Sequence, residues 1–301
     1  MEERVGIVNR AALAILGALA LVTAYMMNAG CEKQYSASGA PTQRATEELS
    51  DVADKTVQMT VVCDNYEQVA GLETSWGFAC VIDTPQKSIL FDTSGDGAIL
   101  LSNLEKLGIA AQDIDAVVIS HDHWDHTGGL SDFLARNSQL PVYVVTAFSR
   151  GTKQLIEAAG GQLVEVSQPG EIAPGVFSTG QVPGAPPEQA LVVQTDEGLV
   201  VVTGCAHPGV VNMVRAARKV CEGKVHLVMG GFHMAQSSAR QIHAVIDQLG
   251  ELGVQKAAPC HCSGGQTREL FAEELGEDFI RIGVGAKLKF LCSHNSTENR
   301  K

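Results

Sequence analysis

The sequence has few basic residues: 22 Lys and Arg stand against 34 Asp and Glu, which gives a formal net charge of −12 at pH 7. Binding to nucleic acid depends on clustered Lys and Arg that neutralise phosphates, and no basic stripe occurs anywhere in the chain. We therefore expect no nucleic-acid partner. A negative surface also repels anionic substrates weakly, so such a substrate would need a bound cation to hold it.

The chain also lacks the features of a small protein held together by disulfides. Eight cysteines are spread over 301 residues, and 45% of the residues are hydrophobic. A chain of this length can bury a core without covalent staples, so we expect no full disulfide framework. The length fits one large α/β domain, or two small ones, with an N-terminal extension.

A long apolar run occurs at the N-terminus. Arg4 and Arg10 precede the apolar segment Ala11–Met27, and Ala-Gly-Cys at 29–31 follows it. This order is typical of a secretory signal, and its end resembles a bacterial lipoprotein signal in which Cys31 is lipidated. The alternative is an uncleaved single-span helix, although about 17 residues is at the short limit for a bilayer. Both interpretations predict a membrane-anchored protein of the cell envelope, with its domain outside the cytoplasm.

The chain divides into four predicted segments. These are a signal or anchor (1–31), a flexible polar linker (32–55), one folded domain (56–292) and a polar tail (293–301). Within the domain, predicted strands come first as a meander and then alternate with helices, which indicates two sheets covered by helices. The patterns predict strands at Ser88–Phe91 and Glu171–Thr179 and a helix at Val210–Val220.

The densest group of chemically active residues is the segment Ser120–Leu130, with the sequence SHDHWDHTGGL. Residues two apart in an extended stretch point the same way, so His121 and His123 can face one metal ion. The chain then turns, and Asp125 with His126 can face a second. Imidazole and carboxylate groups suit Zn²⁺, Mn²⁺ or Fe. Three histidines and two aspartates in six residues therefore indicate a metal centre rather than an incidental polar loop.

The pattern His-x-His-x-Asp-His-x-Gly-Gly resembles the defining motif of the metallo-β-lactamase superfamily. Upstream, Ile89–Ser94 resembles the family's strand that ends in Asp-Thr-Gly. The resemblance implies a four-layer αβ/βα sandwich that binds one or two divalent metal ions, with zinc preferred over manganese or iron. It also implies that Asp92, at the end of its strand, supports a ligand histidine from behind. A turn-forming aspartate is the alternative.

The remaining metal ligands would come from later loops. The family's usual third histidine would lie near residues 179–183, where this sequence has none, so we expect His207 to replace it. Cys205 stands where many members carry a metal-bridging aspartate, and it is either a ligand or a small buried hydrophobic residue. His261, in the segment PCHCSG, is expected to bind the second metal ion, while the two flanking cysteines pack.

His233 ends the segment Gly-Gly-Phe-His and could bind metal, donate to a transition-state oxygen, or pack; we expect a role in the site. His226 and His243 are expected to be structural. Taken together, these motifs resemble a subgroup of the superfamily that includes 7,8-dihydropterin-6-methyl-4-(β-D-ribofuranosyl)aminobenzene 5′-phosphate synthases.

Three functions remain open from the sequence. The first is a metal-dependent hydrolase, in which a metal-bound hydroxide attacks an ester, lactone, amide or phosphoester of a small molecule. Asp125 would then bind metal and orient the water, with Asp92 and His233 assisting. The second is a pterin-coupling transferase, although an envelope location argues against it because pterin precursors are cytoplasmic. The third is a non-catalytic metal-binding protein of the envelope.

Overall fold

The computed structural model describes residues 55–292, which form two stacked β-sheets. The strands of the first sheet are β1 (Thr56–Cys63), β2 (Ala79–Asp83), β3 (Ser88–Phe91), β4 (Ala116–Val118), β5 (Pro141–Val145), β6 (Gln162–Val166) and β13 (Lys287–Leu291). The strands of the second are β7 (Gly170–Ala173), β8 (Val176–Ser178), β9 (Leu191–Thr195), β10 (Gly198–Thr203), β11 (Val225–Gly231) and β12 (Lys256–Cys260).

Each sheet combines an antiparallel half with a parallel half. The first sheet has the strand order β13-β1-β2-β3-β4-β5-β6, and it is antiparallel from β13 to β3 and parallel from β3 to β6. The second has the order β12-β11-β10-β9-β8-β7, and its parallel half runs from β10 to β12. Parallel strands need long crossover connections, and these loops leave the carboxyl ends of the strands, where ligands usually bind in open α/β sheets.

Helices cover both outer faces. They are α1 (Gly97–Lys106), α2 (Trp124–Thr127), α3 (Leu130–Leu134), α4 (Arg150–Ala158), α5 (Val210–Val220), α6 (Ala239–Glu251) and α7 (Gly265–Leu275), with 3₁₀ turns at Ala111–Asp113, His261–Ser263 and Gly276–Asp278. Helices α1, α3 and α4 pack on the first sheet, and α5, α6 and α7 pack on the second.

The buried side chains form three cores. One fills the space between the two sheets, and the other two fill the spaces between each sheet and its helices. Alternate residues of β10 show the division: Val200 and Val202 face the other sheet, whereas Leu199 and Val201 face the helices. Both faces of the strand are buried, which is why β10 reads as a continuous apolar run rather than an alternating one. The mixed α/β architecture with two sheets was predicted correctly.

The element predictions need one correction. Ser88–Phe91 and Val210–Val220 have the predicted bounds, but Glu171–Thr179 is not one strand. It is divided into β7 and β8, which pair as an antiparallel hairpin. The cause is the dipeptide Pro174-Gly175, a turn signal at which Gly175 adopts a φ of +74°.

The predictions for the signal or anchor (1–31), for the linker up to residue 54 and for the tail (293–301) lie outside the described residues. Within residues 55–292, no helix is long and apolar enough to cross a membrane. The seven cysteines of this part of the chain are free thiols.

Candidate metal centre

The predicted site residues meet at the edge of the sandwich where the parallel strands of both sheets end. In the first sheet, Asp92 directly follows β3, and the segment from His121 to His126 follows β4. In the second, Cys205 and His207 follow β10, His233 follows β11 and His261 follows β12. Residues that are far apart in the chain therefore converge because their strands are neighbours in the sheets.

Strained backbone is concentrated at this edge. Six non-glycine residues of the described chain have a positive φ, and Gln139 alone lies away from the site. The others are Asp92, Ser94, Ala206, His233 and His261, with φ between 47° and 60°. Such conformations cost about 1–3 kcal/mol each and persist where the surrounding structure enforces them, typically at functional sites.

One cluster of ligand atoms consists of His121, His123 and His207. Nε2 of His121 lies 3.1 Å from Nδ1 of His123. The ring centroid of His207 lies 4.7 Å from that of His121 and 4.8 Å from that of His123. Two nitrogens that bind one tetrahedral ion at 2.0–2.1 Å are about 3.3 Å apart, so the observed spacing fits a shared metal ion. The structure thus brings His207 to the place where the sequence predicted a replacement ligand.

A second cluster consists of Asp125, His126, Cys205 and His261, whose ligand atoms all lie within 4.8 Å of one another. Nε2 of His126 is 3.2 Å from Sγ of Cys205. Nε2 of His261 is 3.3 Å from Oδ2 of Asp125. Cys205 also lies within this distance of the ligand atoms of His121 and His207, so its thiol stands between the two clusters. Carboxylate, imidazole and cysteine sulfur are all ligand types that divalent metal ions take in proteins.

Hydrogen bonds behind the histidines fix which nitrogen faces the centre. Nδ1 of His126 donates to Oδ2 of Asp92 over 2.6 Å, and Nδ1 of His261 donates to Oδ1 of Asn65 over 3.1 Å. Nδ1 of His121 donates to the hydroxyl of Ser120, which donates in turn to Asp92. In each histidine Nε2 is therefore the atom presented to the centre, as outer partners commonly arrange for metal-binding histidines.

Asp92 also changes the acidity of the imidazole that it orients. Burial alone would lower the pKa of His126, but the adjacent carboxylate of Asp92 raises that pKa to about 9. A more basic imidazole is a stronger metal ligand once its proton has left. The structure thus places the carboxylate of Asp92 directly behind the imidazole of His126.

Sequence reasoning missed Glu188, which is fully buried beneath the loop after β10. Its Oε1 accepts the backbone N–H groups of Cys205 and Ala206, and its Oε2 accepts that of His207. Burial raises the pKa of Glu188 to about 7. The carboxylate holds the ligand loop in place, and it comes from the segment just after residues 179–183, where the family would supply a histidine. A single Glu carries no sequence pattern that could have revealed this.

Cys262 was expected to pack, but the structure places it at the site. Its Sγ lies within 4.8 Å of the ligand atoms of both Cys205 and His233. Cys260, in contrast, is buried in the core between the sheets. The ring of His233 lies 4.2 Å from that of His207, centroid to centroid, so His233 belongs to the rim of the centre. His226 and His243 lie elsewhere, where they contact Gln255 and Glu274.

The residues at this edge fit a pair of divalent metal ions. The Nε2 atoms of His207 and His261 are buried and have no hydrogen-bond partner, although an orphaned nitrogen of this kind is costly in a protein interior. Burial lowers the pKa of His121 well below its usual value and that of His207 to about 4, so both rings are neutral at pH 7. Neutral imidazoles with free lone pairs are what a metal ion requires.

Sequence comparison places these observations in a family. Residues 77–215 match the family model of the metallo-beta-lactamase superfamily. The chain is 30% identical to 7,8-dihydropterin-6-methyl-4-(beta-D-ribofuranosyl)-aminobenzene-5′-phosphate synthase of Methanocaldococcus jannaschii, over 68% of this chain and 85% of that relative. The chain belongs to the metallo-β-lactamase superfamily. The resemblance seen in the motif around His121 is thereby confirmed.

Two solved structures share the fold of this chain. Tm1679, a metal-dependent hydrolase of the β-lactamase superfamily, has 29% identity and a TM-score of 0.66, with 77% of this chain and 98% of that chain covered. A diphosphatase from the PhnP family has a TM-score of 0.54 at 16% identity, with 78% of this chain and 99% of that chain covered. At that identity the second comparison shows the fold alone.

Proposed function

We propose that this superfamily member is a metal-dependent hydrolase that acts on an ester, lactone, amide or phosphoester of a small molecule. The observation that carries the proposal is the pair of ligand clusters on either side of Cys205, with His121, His123 and His207 on one side and Asp125, His126 and His261 on the other. When bound there, divalent ions lower the pKa of water towards neutrality and neutralise the negative charge that develops in the transition state.

The protein's own side chains would position the water molecule, the substrate and the metal-binding histidines. Asp125 has one carboxylate oxygen, Oδ2, directed at His261 and also accepting the indole N–H of Trp76 over 3.0 Å. This fixes its orientation, so its other oxygen can accept a hydrogen bond from a water molecule. His233 is exposed at the rim, where a ring N–H can donate to a substrate oxygen. Asp92 stays fully buried and acts through His126 as a positioning residue.

A cavity beside the metal centre offers room for a substrate. It has a volume of about 400 Å³ and lies between His207 and His233 on one side and the α6 residues Gln241 and Gln248 on the other. Small-molecule sites commonly have volumes of this order, with a few polar groups that fix orientation. A larger cavity of about 800 Å³ next to α1 contains no histidine or cysteine, and we assign it no role in the chemistry.

A second candidate is the coupling reaction named in the Methanocaldococcus jannaschii relative, which is supported by 30% sequence identity. The same centre would then hold a phosphate or diphosphate group of the substrate, which the net charge of −12 would otherwise repel. The two reactions differ in the acceptor, which would be water in the hydrolase and an aminobenzene-bearing substrate in the synthase.

Turnover by the metal-loaded protein tests the hydrolase proposal. The purified protein would be assayed on esters, lactones, amides and phosphoesters before and after chelation, with His121→Ala as the inactive variant and His226→Ala as the matched control. We expect hydrolysis of at least one class that is lost on chelation and restored by Zn²⁺ or Mn²⁺. Product formation only when a pterin substrate and an aminobenzene substrate are supplied together would favour the synthase, and tight metal binding without any turnover would favour a non-catalytic protein.

We further propose that the protein acts in the cell envelope, anchored through Cys31 or through an uncleaved helix. The support is the order of basic residues, apolar run and Ala-Gly-Cys at the N-terminus.

A further inference from the structure

Both tryptophans of the sequence lie beside the metal centre with their rings exposed. The described residues have five exposed large hydrophobic side chains, and two of them are Trp76 and Trp124, at 53% and 63% exposure. Single exposed apolar residues are ordinary on protein surfaces. These two indoles are the only tryptophans in the sequence, and both lie next to metal-binding residues. Each of them leaves a large π-surface exposed to water.

Both tryptophans are connected to the metal centre, Trp76 through its indole and Trp124 through its backbone. Nε1 of Trp76 donates to Oδ2 of Asp125 over 3.0 Å, and its ring lies 5.5 Å from that of His261. Trp124 stands in the chain between His123 and Asp125 and begins helix α2. The ring of Trp76 is therefore fixed relative to a ligand atom of Asp125, and Trp124 is positioned by the backbone of helix α2.

Gly95 lies between the ring of Trp124 and the backbone of Trp76. A Cβ atom at this position would lie 2.4 Å from Cζ3 of Trp124 and 2.9 Å from the backbone oxygen of Trp76. The indole of Trp124 thus rests against bare backbone, and any larger residue would push it away. The absence of a side chain at Gly95 lets the ring of Trp124 lie close to the backbone of Trp76.

We propose that Trp76 and Trp124 form a stacking surface for a planar aromatic or heteroaromatic ring of the substrate. The inference rests on the proposed function, because a substrate must reach the metal centre with its reacting bond while its ring contacts the indoles. Aromatic rings stack on indole faces with a specificity that saturated rings of equal size lack. The substrate class is accordingly an aryl- or heteroaryl-bearing ester, lactone, amide or phosphoester.

Intrinsic fluorescence tests this surface directly, because all tryptophan emission of the protein comes from these two residues. The probes are benzoate and cyclohexanecarboxylate, which share size and charge and differ in the π-system. They are titrated into the Zn²⁺-loaded full-length protein, and binding is also measured by calorimetry. We expect benzoate to bind at least about threefold more tightly and to quench the emission.

Variants separate the stacking surface from the metal centre. Trp124→Ala should abolish the preference for benzoate and leave the affinity for cyclohexanecarboxylate within about twofold, whereas Trp124→Phe should retain part of the preference. Leu155→Ala, which removes an exposed apolar side chain on α4, is the matched control and should change neither affinity. A metal-to-protein ratio equal to that of the wild type shows that each variant has kept its fold.

The outcomes distinguish failure of this inference from failure of the hydrolase proposal. A benzoate preference that depends on Trp124 supports the stacking surface even when no substrate is hydrolysed. Ester turnover with equal affinities for the two probes, or with no binding of either, overturns the stacking surface and leaves the hydrolase. A blue shift on addition of phosphatidylglycerol vesicles that Trp124→Ala removes, without any benzoate preference, would assign the indoles to a membrane surface and also overturn the inference.

Discussion

Oδ2 of Asp92 lies 2.6 Å from Nδ1 of His126, and its other oxygen, Oδ1, accepts the backbone N–H of Ser120 over 2.7 Å. One carboxylate thus joins the end of β3 to the loop after β4 and also orients a metal-binding histidine. All three residues are fully buried, so no water can replace a lost contact without rearrangement. Backbone geometry and metal affinity are therefore linked through Asp92.

Replacing Asp92 with Asn should weaken the second metal site by about tenfold to hundredfold, as losing the outer partner of a ligand histidine commonly does. An amide can still accept the N–H of Ser120, but it no longer lends negative charge to the imidazole of His126. The measurement is competitive titration of Zn²⁺ against a chromophoric chelator. An Asp92→Asn variant with two sites of wild-type affinity would mean that the carboxylate only forms the turn.

His207→Ala should lower the affinity of the first metal site at least about tenfold. Without His207 this site retains His121 and His123, one protein ligand fewer than catalytic zinc usually has. His226→Ala is the control, because the imidazole of His226 contacts Gln255 and takes no part in the centre. Equal Zn²⁺ affinities of the two variants would show that another group, such as His233 or Cys205, completes the site.

Glu188→Gln should destabilise the domain by about 1–3 kcal/mol. The carboxylate of Glu188 accepts three backbone N–H groups in the loop from Cys205 to His207. In the variant, an NH₂ group would face one of these N–H groups, and that hydrogen bond would be lost. Chemical denaturation of the metal-free protein measures the free energy of unfolding. Glu171→Gln, at an exposed position, should have little effect. Unfolding midpoints that coincide for the two variants would argue against Glu188 as the support of the loop.

The sequence was informative about the site where the ligands are close in the chain, and uninformative where the contacts are distant. His121, His123, Asp125 and His126 fall within one six-residue segment, so their spacing alone indicated metal binding. Asn65, in contrast, lies 196 positions from the His261 that it orients. A lone Asn or Glu carries no periodicity, and its role depends on which strands become neighbours.

The same distinction holds for the fold. Local signals defined β3 and α5, because apolar periodicity and turn residues bound them on both sides. The hairpin of β7 and β8 was missed because the alternation of apolar residues continues through Pro174-Gly175, and the turn signal was outweighed. The order of strands within each sheet depends on tertiary packing, which a single sequence does not encode in any local pattern.

Cys31→Ser should release the protein from the membrane fraction or misdirect it, since a lipoprotein signal requires the cysteine thiol for lipidation. Cys292→Ser is the control, because it alters a thiol at the far end of the domain sequence. Cell fractionation with immunoblotting gives the distribution. If the Cys31→Ser protein remained in the membrane fraction in full, the apolar run would act as an uncleaved helix.

The number of metal ions bound per chain tests the two-cluster centre most directly. Inductively coupled plasma mass spectrometry of the purified protein, loaded with excess Zn²⁺ or Mn²⁺ and freed of unbound ions, gives this ratio. The account predicts two ions per chain for the wild type and one for His261→Ala, which removes a ligand of the second cluster only. A wild-type ratio that stays at one or below under excess of both metals would contradict it.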